Sequence, residues 1–275
     1  MDEQIVLNGQ PVNYRKQGNG PWIILLHGFL ETIDVWGELA NELSDKFSVL
    51  MVDLPGHGHS GVMGEEHTMP LMADAVMSVM NHLEINSFVL CGHSLGGYVC
   101  MEIAKVLPDQ TKGVIMFHSH AAPDDERTKE NRTRTINIIK LNHANFIHEF
   151  LPDLLSPKNK KRLIHQIDRL RNSIASISVS ALIATLIGMR ERKGTLDTLI
   201  DAEFPFFFIL GKDDTKMAYN KVVAQAMLAH HAEIMLLSDV GHMGFLEAPK
   251  VIFPAIKHFC ERNLIEKQRI NGFGD

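Results

Sequence analysis

Three runs in this sequence, Trp22-Ile23-Ile24-Leu25-Leu26, Phe88-Val89-Leu90-Cys91 and Phe206-Phe207-Phe208-Ile209-Leu210, are apolar at every position. A strand with one face in water alternates apolar and polar residues, so an unbroken run of this length reads as a strand buried on both faces. Such a strand needs helices above and below it. The sequence supplies them: helical spacing over 35–43, 72–83 and 95–106 alternates with further strands at 47–52 and 113–117. Two short β runs, 5–7 and 12–14, precede this rhythm and are joined through Asn8-Gly9, a hairpin signal. The alternation predicts an α/β fold with a mostly parallel sheet and helices on both faces.

The rhythm then stops. From Ala121 to about Asp201 only helical patterns occur, over 136–151, 161–174 and 177–189, with Pro152 and Pro157 breaking the first from the second. Strands resume at 206–210 and 233–237, alternating with helices at 217–228 and 249–261. The chain therefore divides into a core of residues 1–120 and 203–275 and a helical cap of residues 121–202. A helical insertion between sheet strands is best placed over the carboxyl edge of the sheet, where α/β folds bind ligands.

A net charge of −6 argues against a nucleic-acid partner. The start Met1-Asp2-Glu3-Gln4 has neither the basic residues nor the apolar core of a secretory signal. The longest apolar stretch, 176–189, is interrupted by Ser178, Ser180 and Thr185 and is too short to span a bilayer, so no stable membrane insertion is expected. Cys91, Cys100 and Cys260 fit neither a disulfide framework nor a zinc site, and read as reduced thiols of a cytoplasmic protein. Charge is uneven along the chain. Residues 121–200 hold 14 Lys+Arg against 9 Asp+Glu, a net of +5, and the remainder holds 13 against 24, a net of −11. A basic cap could draw anionic substrates to the mouth or rest on an anionic lipid surface. For Lys158-Asn159-Lys160-Lys161-Arg162 a solvated face is the preferred reading. The apolar stretch 177–189 suits either an acyl pocket or a helix packed on the core.

The pentapeptide Gly92-His93-Ser94-Leu95-Gly96 stands after a strand and before a helix, as a G-x-S-x-G nucleophile elbow must. A sharp turn there lifts the Ser94 hydroxyl above the sheet, and Gly92 and Gly96 are glycines because the backbones come too close for side chains. The helix that follows aims free N–H groups and a positive dipole end at developing negative charge. His27-Gly28-Phe29-Leu30 follows the strand ending at Leu26, where such a fold supplies an oxyanion donor. The Phe29 backbone N–H is expected to serve beside that of Leu95, with His27 bracing the loop by hydrogen bonding.

A general base must titrate near neutrality and reach the hydroxyl. Among fifteen histidines, His93, His118 and His120 compete by position with His242. His93 adjoins the nucleophile along the chain and should point away from it. His242, just past the last strand in Gly241-His242, is favoured because these folds run serine, acid, histidine. The acid should lie in Gly211-Lys212-Asp213-Asp214, at the carboxyl edge of the 206–210 strand. Asp214 is preferred, and Asp213 is expected to face solvent. Asp53 also ends a strand but precedes Ser94 and reads as a loop residue. This chemistry calls for no metal and no cofactor.

Together, His27-Gly28-Phe29, the loop Asp53-Leu54-Pro55-Gly56-His57-Gly58-His59-Ser60, the Ser94 elbow, the Gly211–Asp214 turn and Gly241-His242 resemble the α/β-hydrolase family in residue type and order. The match covers about residues 20–120 and 203–262. The resemblance implies an eight-stranded, mostly parallel sheet with the cap inserted after the sixth strand. It also carries the second oxyanion donor onto Leu95 and the acid onto Asp214. The turn after Asp214 lacks the proline that relatives often place there, and the cap matches no substrate-specific subgroup.

Dehalogenases and epoxide hydrolases of this family need a carboxylate at the elbow, so Ser94 argues against both and favours acyl transfer. The leading expectation is a hydrolase of small or medium carboxylic esters, working as a monomer or homodimer on a small-molecule substrate. A lyase or carbon–carbon hydrolase with the same triad is the second reading, and Arg127, Arg132 and Arg134 are its candidate polar residues in the cap. A ligand receptor on a hydrolase scaffold is the third.

Overall fold

A computed structural model describes residues 1–266. The tail of the expected core segment, 267–275, lies outside the described residues. Eight strands form one sheet: β1 (Asp2–Leu7), β2 (Gln10–Gln17), β3 (Trp22–Leu26), β4 (Ser48–Val52), β5 (Phe88–His93), β6 (Thr111–Phe117), β7 (Phe206–Gly211) and β8 (Ala232–Leu237). Their spatial order is β1-β2-β4-β3-β5-β6-β7-β8. The β1–β2 and β2–β4 pairings are antiparallel, and every pairing from β4 to β8 is parallel. The hairpin turns on Asn8 (φ 51°) and Gly9 (φ 78°), the two left-handed positions that a tight β-turn of this kind demands.

Every residue of β4, β5 and β7 is buried. Because successive side chains point to opposite faces, this can only mean that both faces are covered. Helices α1 (Gly37–Leu43), α2 (Met69–His82) and α3 (Leu95–Val106) follow β3, β4 and β5 in turn. Trp36, Tyr14, Phe47, Phe88, Phe117 and Phe259 are among the largest fully buried side chains.

Between β6 and β7 the chain forms only helices among its regular elements: α4 (Glu126–Phe150), a 3-10 turn at Leu151–Leu154, α5 (Ile164–Ser173), α6 (Val179–Glu191) and α7 (Leu196–Asp201). Helix α4 starts ten residues before the expected 136, because Asp125 caps it by accepting the Thr128 N–H. It kinks at Asn142, whose φ of −160° and ψ of 86° leave the helical region. Helix α6 packs on the loop after β4: Ala184 accepts the His67 N–H, and a Cβ on Gly188 would lie 1.8 Å from the His67 carbonyl oxygen. This contact accounts for the buried side of the 177–189 stretch as core packing, although Ile183 and Ile187 remain only partly buried.

After β7 come α8 (Tyr219–Ala226), β8, the single turn α9 (Gly244–Glu247) and α10 (Pro249–Glu261). The edge strand β8 leaves Ile234 and Leu236 exposed. Among the described residues no helix is long and apolar enough to cross a membrane.

Candidate active site

Ser94 occupies the one-residue turn between β5 and α3 with φ 50° and ψ −112°, a strained conformation for a residue bearing a Cβ. The turn is held by its backbone. The Ser94 N–H donates to the Phe117 carbonyl at 2.9 Å, and the Ser94 carbonyl accepts Ser119 Oγ at 2.7 Å and the Gly97 N–H at 3.0 Å. The flanking glycines are needed for close approach. A Cβ on Gly92 would fall 2.3 Å from the Gly96 carbonyl, and one on Gly96 would fall 2.1 Å from the Leu26 carbonyl oxygen. Leu95 opens α3, where an N–H has no acceptor one helical turn back. Gly92, Gly96 and Leu95 thus place Ser94 at the start of α3, on the carboxyl edge of the sheet.

The 27–32 loop lies next to this turn. His27 is fully buried: its Nε2 accepts the Leu54 N–H at 3.0 Å, and its Nδ1–H donates to the Gly28 carbonyl at 2.8 Å. Burial pushes the His27 imidazole below its ordinary value, as expected of a neutral ring used for bracing. Leu30 takes a positive φ of 59°, and the chain turns so that Glu31 Oε2 accepts the Gly28 N–H at 2.6 Å. Phe29 is left half-buried, its ring edge-on to Phe150 of α4. Asp53 is a buried hub here, accepting the Ile33 N–H, the His59 N–H and Asn13 Nδ2.

At the other side, Asp214 and His242 meet. His242 Nδ1 lies 2.7 Å from Asp214 Oδ2, and both residues are buried. Oδ1 of Asp214 accepts the backbone N–H groups of Lys216 and Met217 at 2.8 and 2.9 Å. Burial alone would raise the Asp214 carboxyl, but the neighbouring His242 and His118 rings outweigh it and hold the carboxyl far below the usual range. Asp214 is therefore a carboxylate, and His242 presents Nε2 away from it.

Asp213, expected to face solvent, is instead half-buried and accepts Ser156 Oγ at 2.6 Å. The 151–159 segment folds down over it, which no feature of the Gly211–Asp214 turn announces.

Two participants were not assigned from sequence. His118, weighed only as a rival base, directly follows β6 with a φ of 47° and donates Nδ1–H to the same Asp214 oxygen at 3.1 Å. Burial pushes it down to about 4, so it is a neutral second donor to the acid. Its position one residue past a strand end was the available signal. Glu247 is the other. Its Oε1 accepts the Gly241 and Met243 N–H groups on either side of His242, and its Oε2 accepts the Ser156 N–H and Asn159 Nδ2. The third rival, His120, stacks edge-on against Tyr98 and is pushed by burial to about 3.

The donor atoms of His118, Asp214 and His242 lie within 4.8 Å of one another, which by distance alone would suit a metal ion. Both imidazoles direct Nδ1 at one carboxylate oxygen, so these two ring nitrogens and Asp214 Oδ2 are engaged in hydrogen bonds with one another, while the buried Nε2 of His118 has no hydrogen-bond partner. Of the arginines in the insertion, Arg132 is paired with Asp124, Arg134 with Glu130, and Arg127 is exposed. In the basic run, Lys158 pairs with Asp239 and Lys160 with Asp153, both at the surface.

Residues 21–134 match the family model described as alpha/beta hydrolase fold. The chain is 24% identical over 263 residues to a putative esterase/lipase of Haemophilus influenzae, covering 94% of this chain and 89% of that protein. It is 25% identical over 254 residues to the pimeloyl-[acyl-carrier protein] methyl ester esterase of Xylella fastidiosa, covering 88% and 96%. The solved structure of a thermophilic esterase from Thermogutta terrifontis, with malate bound, superposes with a TM-score of 0.89 at 28% identity, over 96% of this chain and 99% of that one.

Proposed function

We propose that the chain is a member of the α/β-hydrolase fold family and a serine hydrolase of carboxylic esters with small or medium acyl groups. Relatives named as esterases support ester hydrolysis as the reaction class. The observation that carries the finer reading is the Asp214–His242 hydrogen bond at the same sheet edge as the strained Ser94 turn.

In this reading Ser94 Oγ attacks the ester carbonyl while His242 Nε2 takes its proton. Asp214 fixes the tautomer and stabilises the imidazolium that forms. The N–H groups of Phe29 and Leu95 receive the oxyanion. Collapse expels the alcohol, which takes the proton back from His242 and leaves an acyl group on Ser94. Water, deprotonated by His242, then attacks the acyl carbonyl; the acid is released and Ser94 regains its proton. None of these steps needs a metal or cofactor. Residues 121–202 act as a cap over the site, with residues 1–120 and the following core segment as its base. The three buried free thiols, Cys91, Cys100 and Cys260, suit a reducing, cytoplasmic setting.

The test is turnover of p-nitrophenyl esters from acetate to decanoate, with Ser94→Ala in parallel. The variant should lose at least about 10⁴-fold in kcat while melting within a few degrees of the parent. Full turnover by a folded Ser94→Ala enzyme removes the mechanism. Fluorophosphonate labelling of Ser94 without ester turnover would transfer the reading to a lyase or carbon–carbon hydrolase.

A further inference from the structure

A second carboxylate–imidazole pair lies beneath the proposed site. His93, the elbow residue before Ser94, is fully buried, and so is Glu31. His93 Nδ1 stands 3.0 Å from both Glu31 carboxyl oxygens, and His93 Nε2 stands 2.7 Å from the carbonyl oxygen of His242. Through Oε2, Glu31 also receives the Gly28 N–H at 2.6 Å. One chain of three hydrogen bonds thus runs from the 27–32 loop, through the elbow residue, to the backbone of the base.

We infer that Glu31 and His93 are positioning residues for the ester hydrolysis proposed above, on which this inference rests: the pair is a strut that fixes the distance between the proposed oxyanion loop and the base loop. The protons follow from the acceptors. A carbonyl oxygen only accepts, so Nε2 carries hydrogen. The Glu31 carboxyl accepts from Gly28 and faces Nδ1 with both oxygens, so Nδ1 carries hydrogen too. His93 is then an imidazolium and Glu31 a carboxylate. Burial works against charge on both, yet each is shifted toward its charged form, His93 upward by Glu31 and Glu31 downward by His93. The other titratable groups near His93 are Asp214, His27, His118 and His242, with ring centroids of the last two 5.9 and 5.0 Å away. The remaining neighbours are the apolar rings of Phe117 and Phe245.

A pair of this kind has a mechanical consequence. The Phe29 N–H belongs to the loop that Glu31 closes, and His242 Nε2 belongs to the ring whose backbone His93 holds. Losing the strut lets donor and base drift apart without touching either, and misplacement by about 1 Å can cost roughly 10²-fold in rate. Removing an acceptor also leaves a buried imidazolium unpaired.

The experiment compares the parent with Glu31→Gln and Glu31→Ala in p-nitrophenyl ester kinetics, fluorophosphonate labelling of Ser94 and nitrogen-15 NMR of the imidazoles. In the parent, at a pH just above the ordinary imidazole value of about 6.5, His93 should show both ring nitrogens protonated. Glu31→Gln, whose amide can accept from Gly28 and donate to Nδ1, should leave His93 neutral, with kcat reduced by less than about tenfold. Glu31→Ala should lower kcat and the labelling rate by about tenfold to a hundredfold, with KM changed by less than about threefold. If Glu31→Ala does not fold, Glu31→Gln decides through the loss of the His93 proton and the smaller fall in kcat. A singly protonated His93 in the parent overturns the inference. So does a folded Glu31→Ala, or in its absence Glu31→Gln, with kcat and labelling unchanged. Should Ser94→Ala keep full turnover, the serine mechanism fails while the NMR signature still reads the pair on its own.

Discussion

The sheet and the helical insertion bury their residues by different rules. In β4, β5 and β7 every residue is buried, and the side chains are nearly all apolar. In the 25 residues of α4 only Ile136, Ile139, Phe146 and Ile147 are buried, while Ile138 and Leu141 are 49% and 86% exposed. The sheet edge can therefore hold polar groups in one geometry, because everything behind them is close-packed. The insertion is held at particular points instead: within it Asp124 binds Arg132 and Arg192, and it is tied to the core where Glu247 and Asp213 bind Ser156.

Asp213 and Asp214 are neighbours that serve opposite sides of this contrast, one holding the insertion through Ser156 and the other holding His242, the proposed base. Asp214→Asn should lower kcat by about 10³–10⁴-fold, since the amide cannot favour the required tautomer or stabilise the imidazolium. Asp213→Asn should cost less than about tenfold. Steady-state kinetics of the two side by side would break the comparison if the losses came out equal.

The next effect is on stability. His57 and His118 are fully buried and pushed by burial to about 3 and about 4, against about 6.5 when unfolded. Between those limits the unfolded chain binds protons that the folded chain does not, so stability is full above about pH 6.5 and falls as pH drops toward 4. The His118 shift alone corresponds to about 3 kcal/mol at the acid end. Melting temperature measured from pH 7 to 4.5 should fall, and His118→Asn should flatten part of that slope. A flat curve for the parent would contradict the burial of these rings.

The smallest expected effect sharpens the contrast. Leu141→Lys, on the exposed side of α4, should change unfolding free energy by no more than about 0.5 kcal/mol. A loss above about 2 kcal/mol in denaturant titration would mean that α4 is packed against something that leaves Leu141 covered.

What could be read from the sequence follows the same division. Strands buried on both faces declare themselves by composition alone, so β3, β6 and β7 begin and end within two residues of the apolar runs. Helix α4 does not, because its first ten residues, Glu126 to Thr135, are polar, and it is the Asp125 cap rather than any periodicity that starts it there. Helices α7 and α9 are too short for a period to show. At the site, Ser94, Asp214 and His242 stand in motifs whose glycines and strand ends mark them. Glu31 stands in no motif. Its role depends on Leu30 adopting a positive φ that folds the carboxylate back onto Gly28, and Leu is a residue from which no such turn is read. His118 binds Asp214 across 96 residues of chain and Glu247 binds Ser156 across 91, separations no local pattern encodes.

Glu247 also limits how this protein can diversify. Its two oxygens are divided between the backbone around His242 and the backbone and side chain of Ser156 and Asn159. An insertion transplanted from a relative would have to bring equivalents of Ser156 and Asn159, or leave half of that carboxylate unanswered beside the base. The stretch before the Asn142 kink has no such tie to Glu247, so on the proposed mechanism new substrate preferences can be written there without disturbing His242.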